Sequence, residues 1–373
     1  MDRQPAAWVE VDLSAIRHNV REVRGTVGDG VEILAVVKAD AYGCGAVEVS
    51  RAVLAEDVCC LGVTRLEDAL QLRGASVYAP ILVFNSSFPE DARLVVEHDL
   101  EQTVCSTSLA RALSEAAREQ DKTARVHVKI DTGLGRLGVL PEDAVSFVRA
   151  VAGLPGVSVA GVYTHLATAA EKDARGATRQ LDVFEGVLRK LRLAEIPFGT
   201  AHAAASAAIL RMPRSHLDMV RPGTVLYGQY PSSHVPKLLN LRNPWTLKAR
   251  IAFIKNVEKG TAIGYGSEFR TRRQSTIAVI PVGYADGLTM QPESVLRRRM
   301  ALTLARRVIP GGALALEVRL RGRTVPVIGR VAMEMCVIDV TDVPGVQVGD
   351  EVIIPCRRTA VSGRIPRVYA ENE

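Results

Sequence analysis

Short apolar runs alternate with amphipathic stretches over the first 235 residues. Eight of these runs are short and mostly apolar, as expected of strands that are buried on both faces. They are 33–38, 60–64, 81–84, 103–106, 125–131, 159–165, 200–204 and 217–221. Helical spacing of apolar residues lies between them, near 14–27, 46–56, 66–73, 89–98, 107–119, 141–153, 171–194 and 206–212.

Eight strands alternating with eight helices predict a (β/α)8 barrel of the TIM type, in the α/β class, over residues 1–235. An open, doubly wound sheet is the alternative. That fold usually carries a glycine-rich dinucleotide turn after its first strand, and this chain has none there. We therefore favour the barrel.

The pattern changes after residue 230. Residues 231–236 contain two prolines and two serines and predict a linker. Alternating runs punctuated by Gly, Pro and Asp follow, at 247–257, 275–282, 314–320, 324–328, 336–340 and 351–354. They predict a second, mainly β domain over residues 236–373.

Composition narrows the class of protein. Of the 373 residues, 47% are apolar and 24% are charged, which is typical of a folded chain of about two domains. No apolar run approaches the roughly 20 residues that span a bilayer, and the chain starts without a signal-peptide core. We expect a cytoplasmic protein that does not bind membranes. Six cysteines include no C-x-x-C pair, so we expect neither a disulfide scaffold nor a metal site.

Charge is unevenly distributed along the chain. The net charge is +6, but residues from 236 onward carry 22 basic and 12 acidic side chains, whereas the earlier part carries 25 and 29. A basic half raises the question of nucleic-acid binding. No binding motif or aromatic interleaving accompanies the charge, so we expect no nucleic-acid partner. The basic half is then a solvated surface or one that faces an acidic partner.

Functional residues of such barrels gather at the C-terminal ends of the strands. Those at or just beyond the predicted ends are Lys38, Thr64, Asn85, Ser106, Asp131, His165, Ser206 and Arg221. Apolar walls around a lysine favour the neutral, nucleophilic amine, which can form a Schiff base. The alternative for Lys38 is the start of an ordinary surface loop, and His165 is a base, a ligand or a core histidine.

The segment 221–224, Arg-Pro-Gly-Thr, offers backbone N–H groups where barrels commonly hold a phosphate, although it could also be an ordinary Pro-Gly turn. A strand-end lysine combined with a phosphate turn suggests a phosphorylated aldehyde cofactor. Pyridoxal 5'-phosphate has that chemistry, with a ring that acts as an electron sink.

The motif Ala35-Val-Val-Lys38-Ala-Asp-Ala-Tyr42-Gly-Cys-Gly45 resembles the pyridoxal-phosphate attachment motif of alanine racemases. The resemblance continues over nearly the whole chain, in segments 8–13, 128–138, 161–168, 219–228, 264–266, 281–287, 329–333 and 364–369. It implies a barrel followed by a β domain, and a head-to-tail homodimer. Each active site would combine the barrel of one subunit with the β domain of the other.

The resemblance also implies an isomerase that exchanges L-alanine and D-alanine with two bases. Lys38 would hold the cofactor and act on one face of Cα, and Tyr265 of the partner subunit would act on the other. The remaining implied roles are orientation by His165 and Tyr284, contact with the pyridine nitrogen by Arg221, phosphate binding by Tyr42, Ser206, Gly223 and Thr224, and binding of the substrate carboxylate by Arg136 and the Met333 backbone. Lys129 matches a lysine that is carbamylated in some members.

The chain departs from the family pattern near the expected pocket. Ala332 and Glu334 replace a cysteine and an aspartate, Ala205 replaces an asparagine, and Leu134 replaces a methionine. Residues 355–363 lead almost directly into Arg364, so the segment that carries a phosphate-binding tyrosine in the family has no counterpart. We expect weaker phosphate anchoring, a wider entrance, or both.

These departures leave several functions open. A racemase of alanine or another small amino acid is the leading interpretation. The alternatives are a racemase of a larger amino acid in a specialised pathway and a non-catalytic pyridoxal-phosphate-binding protein. A decarboxylase of the related barrel fold is disfavoured, because its cysteine and aspartate signature is not found in the second domain.

Overall fold

The structure is a computed structural model that describes residues 4–289 and 316–371. Its chain forms two compact units. The barrel unit consists of Leu13–Pro244, with Glu371, and the β unit consists of the described residues up to Asp12 and from Trp245 to Ala370. No described helix has the length and apolar character needed to cross a membrane.

The barrel unit contains the eight strands that the sequence predicts. In chain order, after β1 (Ala7–Asp12) of the other unit, they are β2 (Glu32–Val36), β3 (Cys60–Val63), β4 (Ile81–Val83), β5 (Glu101–Val104), β6 (Ala124–Lys129), β7 (Val157–Tyr163), β8 (Thr200–His202) and β9 (Met219–Val220). All pair in parallel, in the order β8-β7-β6-β5-β4-β3-β2-β9.

Backbone hydrogen bonds join the two edge strands of this sheet. The N–H of Asp218 donates to the carbonyl of Ala201 over 3.1 Å, and that of Arg221 donates to Ala204 over 2.9 Å. The sheet therefore curls into a ring, and the predicted (β/α)8 barrel is confirmed. Closure removes the exposed edges of the sheet and brings β8 and β9 together near the predicted phosphate turn.

The predicted helices are confirmed with small changes of bounds. The helices are α1 (Leu13–Val27), α3 (Ala46–Leu54), α4 (Leu66–Gly74), α5 (Ala92–Glu97), α6 (Thr107–Glu119), α7 (Ala144–Ala152), α8 (Arg175–Leu193) and α9 (Ser206–Arg211). A further short element, α2 (Lys38–Gly43), was not predicted and is left-handed. The predicted linker at 231–236 lies within the barrel unit, where its Val235 is buried. The boundary between the units therefore falls after Pro244 and not after residue 235 as predicted.

The β unit is built on a nine-stranded sheet of described residues. Its further strands are β10 (Trp245–Arg250), β11 (Phe253–Val257), β12 (Ala262–Ile263), β13 (Phe269–Arg270), β14 (Ser275–Ile280), β15 (Glu317–Leu320), β16 (Arg323–Ile328), β17 (Cys336–Asp339), β18 (Glu351–Ile354) and β19 (Arg367–Ala370). The order is β11-β14-β17-β16-β15-β18-β10-β1-β19, and β12 pairs with β13 apart from it. The second domain is mainly β, as predicted.

Two sequence expectations are corrected here. The strand β1 pairs antiparallel with β10 and parallel with β19, so residues 7–12 belong to the β unit and not to a barrel domain of residues 1–235. The predicted run 247–257 is two strands, because the chain changes partners after Arg250. The first part of the predicted run 314–320 lies outside the described residues.

Candidate active site

A cavity of about 530 Å³ opens at the C-terminal ends of the barrel strands. It brings together most of the strand-end and motif residues that the sequence singles out. These are Lys38, Tyr42, Thr64, Asn85, Lys129, Arg136, His165, Ser206, Arg221, Gly223 and Thr224. Two strand-end residues lie elsewhere: Ser106 caps the N-terminus of α6, and the carboxylate of Asp131 accepts backbone N–H bonds within its own loop.

Lys38 begins a left-handed helical turn directly beyond β2. Ala39, Asp40, Ala41 and Tyr42 have φ angles of 54°, 53°, 50° and 55°. For residues other than glycine, this conformation costs about 1–2 kcal/mol per residue because of steric contact with Cβ. Four such residues in succession therefore need strong support from the surrounding fold.

Hydrogen bonds and ring packing supply this support. The carboxylate of Asp40 accepts from the N–H of Ala46 over 2.8 Å, at the start of α3. The ring of Tyr42 stacks on Tyr227 with 4.6 Å between centroids, and the Tyr227 hydroxyl donates to the carbonyl of Val36 over 2.9 Å. The turn is thereby fastened both to the next helix and to the end of its own strand, which fixes the backbone that carries Lys38.

Tyr42 and Ser206 meet the turn after β9 at one end of the cavity. The N–H of Gly223 donates to the Ser206 hydroxyl over 2.9 Å. A Cβ atom at Gly223 would lie 2.6 Å from the Tyr42 hydroxyl, so only glycine permits this approach. Two hydroxyl groups and the backbone of residues 223–224 therefore converge, which is a polar arrangement suited to a phosphate group.

A tight loop after β6 presents Arg136. The carboxylate of Asp131 accepts from the N–H groups of Gly133, Leu134 and Gly135 over 2.9–3.1 Å. Backbone bonds from Asp131 to Val139 and from Val139 to Lys129, both 2.9 Å, close the loop. Arg136 is exposed on this loop and lines the cavity, so its guanidinium can meet an anionic ligand.

Tyr163, which sequence reasoning did not single out, lies beneath two of the cationic side chains. Its ring centroid is 5.4 Å from Lys129 Nζ and 5.2 Å from Arg221 Cζ. Its hydroxyl is 2.9 Å from that of Thr103. An aromatic face attracts cations, so Tyr163 helps to hold Lys129 and Arg221 at the cavity floor. The observed strand β7 ends at Tyr163, two residues before the end of the predicted run 159–165, so the sequence drew attention to His165 instead.

Positive charge dominates the cavity. Lys38, Lys129, Arg136 and Arg221 line it, and none of the lining residues that the structure describes is acidic. Burial, followed by the charge of Arg136, lowers the pKa of Lys38. Burial and the charges of Arg136 and Arg221 lower the pKa of Lys129 to about 8. The cavity thus favours anionic ligands and neutral amines.

His165 is held neutral in this environment. Burial, and then the charges of Arg221, Lys129 and Arg136, lower its pKa to about 3. Burial also lowers the pKa of Arg221, to about 10, which leaves the guanidinium charged at neutral pH. The terminal nitrogens of Arg221 donate to His202 and to the carbonyls of Thr164 and Ala203 over 2.8–3.1 Å. No described residue accepts from its Nε–H.

The predicted residues of the second domain lie on neighbouring loops of the β unit. Tyr265 is 69% exposed, Met333 is 58% exposed and Tyr284 is 47% exposed. The N–H of Tyr284 donates to the carbonyl of Ala332 over 3.0 Å, and Ala285 donates to Met333 over 2.9 Å. Gly264, before Tyr265, has a positive φ of 75° and would place a Cβ 3.2 Å from the N of Arg330.

The shortened C-terminal segment supports the loop that carries Tyr284. A Cβ at Gly287 would lie 2.2 Å from the carbonyl oxygen of Ala360, and the Cys356 thiol donates to the Gly287 carbonyl over 3.1 Å. Ser362 donates to Asp286 over 3.3 Å. The segment therefore has a structural partner of its own in the β unit.

The remaining sequence predictions on this site concern cysteines and metals. All six cysteines are free thiols, and three of them, Cys44, Cys60 and Cys336, are buried. Within residues 4–289 and 316–371, no group of three or more His, Cys, Asp or Glu side chains is placed to hold a metal ion.

Comparison with known proteins matches both units to one family. The family model of the alanine racemase N-terminal domain matches residues 11–231, and that of the alanine racemase C-terminal domain matches residues 245–365. This chain belongs to the alanine racemase family. Membership makes it an isomerase of the racemase class, as the sequence predicts, and disfavours a non-catalytic protein that resembles only the barrel.

Individual members of the alanine racemase family are similar over the full chain. The alanine racemase of Desulfovibrio desulfuricans is 39% identical over 98% of each chain, and alanine racemase 1 of Caldanaerobacter subterraneus is 42% identical over 93% of this chain and 84% of the relative. The solved alanine racemase of Clostridium difficile 630 superposes with a TM-score of 0.90 at 32% identity, covering 100% of this chain and 97% of that one. The same enzyme was also solved in complex with cycloserine.

Proposed function

We propose that this racemase interconverts the L and D forms of a small amino acid, with alanine as the first candidate and pyridoxal 5'-phosphate as cofactor. One observation carries the proposal. A single cavity joins a lysine with a lowered pKa, a polar cradle at Gly223 and a buried arginine, and none of its described lining residues is acidic. This combination fits the aldehyde, the phosphate and the ring nitrogen of the cofactor.

The residues present fit pyridoxal phosphate group by group. Lys38 Nζ would hold the aldehyde carbon, and Tyr42, Ser206, Gly223 and Thr224 would hold the phosphate. The Arg221 Nε–H, which no described residue accepts from, would donate to the ring nitrogen. When bound, the cofactor supplies an electron sink that makes the Cα–H bond of an amino acid acidic.

Racemisation requires a proton acceptor and a proton donor on opposite faces of Cα. Lys38 provides Nζ on one face, and its lowered pKa increases the fraction of neutral amine that can accept a proton. We assign the opposite face to the hydroxyl of Tyr265 of the partner subunit. After one turnover the group that accepted the Cα proton is protonated and the group that donated a proton is deprotonated. This is the state that the reverse reaction needs, because that reaction exchanges the two roles.

The other lining residues orient the reacting groups. His165, held neutral by its low pKa, donates or accepts a hydrogen bond without adding charge. Tyr284 would assist it from the β unit. Arg136 and the backbone N–H of Met333 would bind the substrate carboxylate. Arg221, still cationic, discourages protonation of the ring nitrogen, because two adjacent cations repel.

Lys129 is proposed as a carbamylation site that supports Arg136. Carbamylation requires the neutral amine, and a pKa of about 8 makes that form accessible near neutral pH. The product would carry a negative charge among three cations, which would relieve their mutual repulsion. Intact mass measurement with and without bicarbonate, compared with Lys129→Ala, would show the mass of one added CO2 if the site is modified.

A homodimer is proposed to complete the site. The predicted β-unit residues are exposed, and the basic and acidic halves of the sequence offer complementary surfaces. We expect a dimer that weakens as salt increases, measured by analytical ultracentrifugation. A monomer at all concentrations would contradict the proposed dimer, and dimerisation unchanged by salt would contradict the proposed charge complementarity.

A cytoplasmic location stays a prediction from the sequence.

Exchange of the Cα proton in heavy water tests the reaction directly. Purified protein with added pyridoxal phosphate would be incubated with a panel of L-amino acids, and loss of the Cα–H signal and chirality would be followed by NMR and chiral chromatography. We expect exchange with inversion on alanine. No exchange on any amino acid, despite bound cofactor, would refute the proposal.

A racemase of larger amino acids is the second candidate. The cavity is lined by small side chains, Ala167, Ala169 and Ala170 on one loop and Ala205, Ala207 and Ala208 around the start of α9. Such a lining leaves room for a longer substrate side chain. Turnover of a bulkier amino acid above that of alanine in the same panel would favour this candidate, and turnover far below it would exclude it.

A further inference from the structure

Four buried polar side chains form a continuous line through the barrel interior. Glu101 Oε2 lies 2.9 Å from His127 Nε2, His127 Nδ1 lies 2.9 Å from His202 Nε2, and His202 Nδ1 lies 2.8 Å from Arg221 Nη1. We call these four residues the relay. Glu101 is the first residue of β5 and Arg221 follows β9, so the relay runs from the N-terminal end of the barrel to the candidate active site.

Every member of the relay is almost fully buried. The exposed fractions are 4% for Glu101, 2% for His127, 0% for His202 and 3% for Arg221. Buried ionic groups are unfavourable unless hydrogen bonds satisfy them. Here the cation and the carboxylate lie at opposite ends and two imidazoles connect them. Glu101 also accepts from Arg125 Nε over 2.7 Å.

Gly161 leaves the space through which the two histidines meet. It lies on β7, between the strands of His127 and His202, and is paired with both His127 and Thr200. A Cβ atom there would lie 2.4 Å from His127 Nδ1. The contact between the two histidines therefore requires a residue without a side chain at position 161 on β7.

The hydrogen-bonding chemistry of these groups permits one arrangement of protons. A guanidinium only donates, so His202 Nδ1 must accept and its proton lies on Nε2. His202 Nε2–H then donates to His127 Nδ1, which places the His127 proton on Nε2. His127 Nε2–H donates to the Glu101 carboxylate, which only accepts. Both imidazoles are thus neutral, and both are the Nε2–H tautomer.

We propose that Glu101 is a positioning residue for Arg221, which it orients by fixing the tautomers of His127 and His202. Removal of the acceptor at Glu101 leaves the His127 Nε2–H without a partner. A change of tautomer at His127 would then place N–H against N–H at His202, and in turn at Arg221. The relay sets which way the guanidinium presents its Nε–H to the cavity. The effect on the cofactor rests on the proposed function, in which that N–H meets the ring nitrogen.

Nitrogen-15 NMR of the histidine-labelled, cofactor-free protein tests the relay by itself. We expect His127 and His202, assigned through single substitutions, to be neutral Nε2–H tautomers, as the direction of the hydrogen bonds requires. An Nδ1–H tautomer or a cation at either residue would overturn the proposal. The variants serve only to assign the signals, and the test itself is made on the wild-type protein.

Three variants test the coupling to Arg221. Glu101→Leu removes the acceptor, Glu101→Gln keeps a carbonyl oxygen that accepts from His127, and Gly161→Ala breaks the contact between the histidines. We expect Glu101→Leu and Gly161→Ala to change the histidine signals and the ring-nitrogen signal of bound, 15N-labelled pyridoxal phosphate. We expect kcat to fall by about tenfold with little change in KM, by analogy with the loss of the hydrogen-bond partner behind a metal-bound histidine. Glu101→Gln should restore the wild-type signals.

Gly62→Ala is the matched control for crowding. Gly62 lies on β3, and a Cβ there would lie 2.5 Å from side-chain atoms of Leu34 and Phe84. Neither residue belongs to the relay, so this variant should leave both histidine tautomers unchanged. A ring-nitrogen signal and kcat that stay at wild-type values in Glu101→Leu would overturn the coupling, as would a failure of Glu101→Gln to restore them. Absence of racemisation by the wild-type protein would refute the proposed function instead, and the cofactor-free NMR would still decide the relay.

Discussion

The two groups predicted to act on opposite faces of Cα lie in very different surroundings. Lys38 follows a buried strand, lines a concave cavity and is held on a backbone turn that its neighbours fasten on two sides. Tyr265 begins a short 3-10 turn of the β unit and is 69% exposed. The barrel unit thus encloses its chemistry, whereas the β unit displays its own at the surface.

This difference teaches that the two units make unequal contributions to a site. Within the described residues, the barrel unit by itself supplies the cavity, the cationic lining and the polar cradle. An exposed tyrosine in a loop gains neither desolvation nor orientation from its own unit, so its proposed role requires another surface to cover it. In the proposed head-to-tail homodimer, the barrel unit of the partner subunit would provide that surface.

Removal of Lys38 should have the largest effect. We expect Lys38→Ala to lower kcat/KM on the racemised amino acid by on the order of 10³-fold or more, because covalent attachment and one proton transfer are lost together. Racemase kinetics and the absorbance of bound cofactor would measure it. Lys122→Ala, at an exposed ion pair with Asp99, is the control and should retain activity. Normal activity in Lys38→Ala would refute the assignment.

Replacement of Tyr265 should have the second largest effect on racemisation. It should remove proton transfer on only one face of the substrate Cα. We expect Tyr265→Phe to lower racemisation by about 10²–10⁴-fold, the usual contribution of a positioned acid or base. Cα exchange with retention should survive for the enantiomer whose proton faces Lys38. Tyr78→Phe, at a tyrosine that is 79% exposed on the barrel unit, is the matched control. Equal loss of exchange for both enantiomers would contradict a two-base mechanism.

Mixing the two inactive variants tests whether sites are shared between subunits. In a head-to-tail dimer of Lys38→Ala with Tyr265→Phe, one of the two sites keeps both wild-type residues. After random exchange of subunits we expect roughly a quarter of wild-type activity to return, since half of the dimers are mixed. Activity that stays at the level of the separate variants would show that each subunit builds its site alone.

A smaller effect is expected at the phosphate cradle of the barrel unit. Gly223→Ala places a Cβ 2.6 Å from the Tyr42 hydroxyl, which must move. Crowding of this kind costs about 1–3 kcal/mol, so we expect the Kd for pyridoxal phosphate to rise by about tenfold or more, measured by equilibrium dialysis. Gly186→Ala, on the open face of α8, is the control. An unchanged Kd would place the phosphate elsewhere.

The smallest effect concerns the pH dependence of stability. His165 has a pKa of about 3 in the folded protein and about 6.5 when unfolded, so the unfolded chain binds an extra proton between these values. This contribution is fully present above about pH 6.5 and is lost as pH falls toward 3. We expect His165→Gln to recover about 1–2 kcal/mol of the stability lost between about pH 7 and about pH 5, measured by urea unfolding. Parallel pH profiles for the two proteins would contradict the shift.

Much of the barrel follows from local pattern, because strands buried on both faces must be apolar throughout. Residues 7–12 were assigned to the barrel domain because they directly precede its first helix in the sequence, whereas the strands that they pair with, β10 and β19, lie more than 230 residues further along the chain. The left-handed turn after Lys38 was not predicted, since Ala39 and Ala41 have no local preference for it and contacts with Tyr227 and Ala46 hold it. Polar Glu101 and His127 within buried strands are the only local sign of the relay in the sequence, and the pattern does not show that the two side chains meet.

The left-handed turn at residues 39–42 also bears on how the sequence tolerates change. Glycine adopts positive φ without the steric penalty of a Cβ, so Ala39→Gly or Ala41→Gly would relieve strain that alanine imposes. A screen for heat resistance would therefore tend to select glycine at these positions. The same substitutions would make the backbone beside Lys38 more flexible. Selection for thermal stability and selection for catalytic activity would therefore favour different residues at positions 39 and 41.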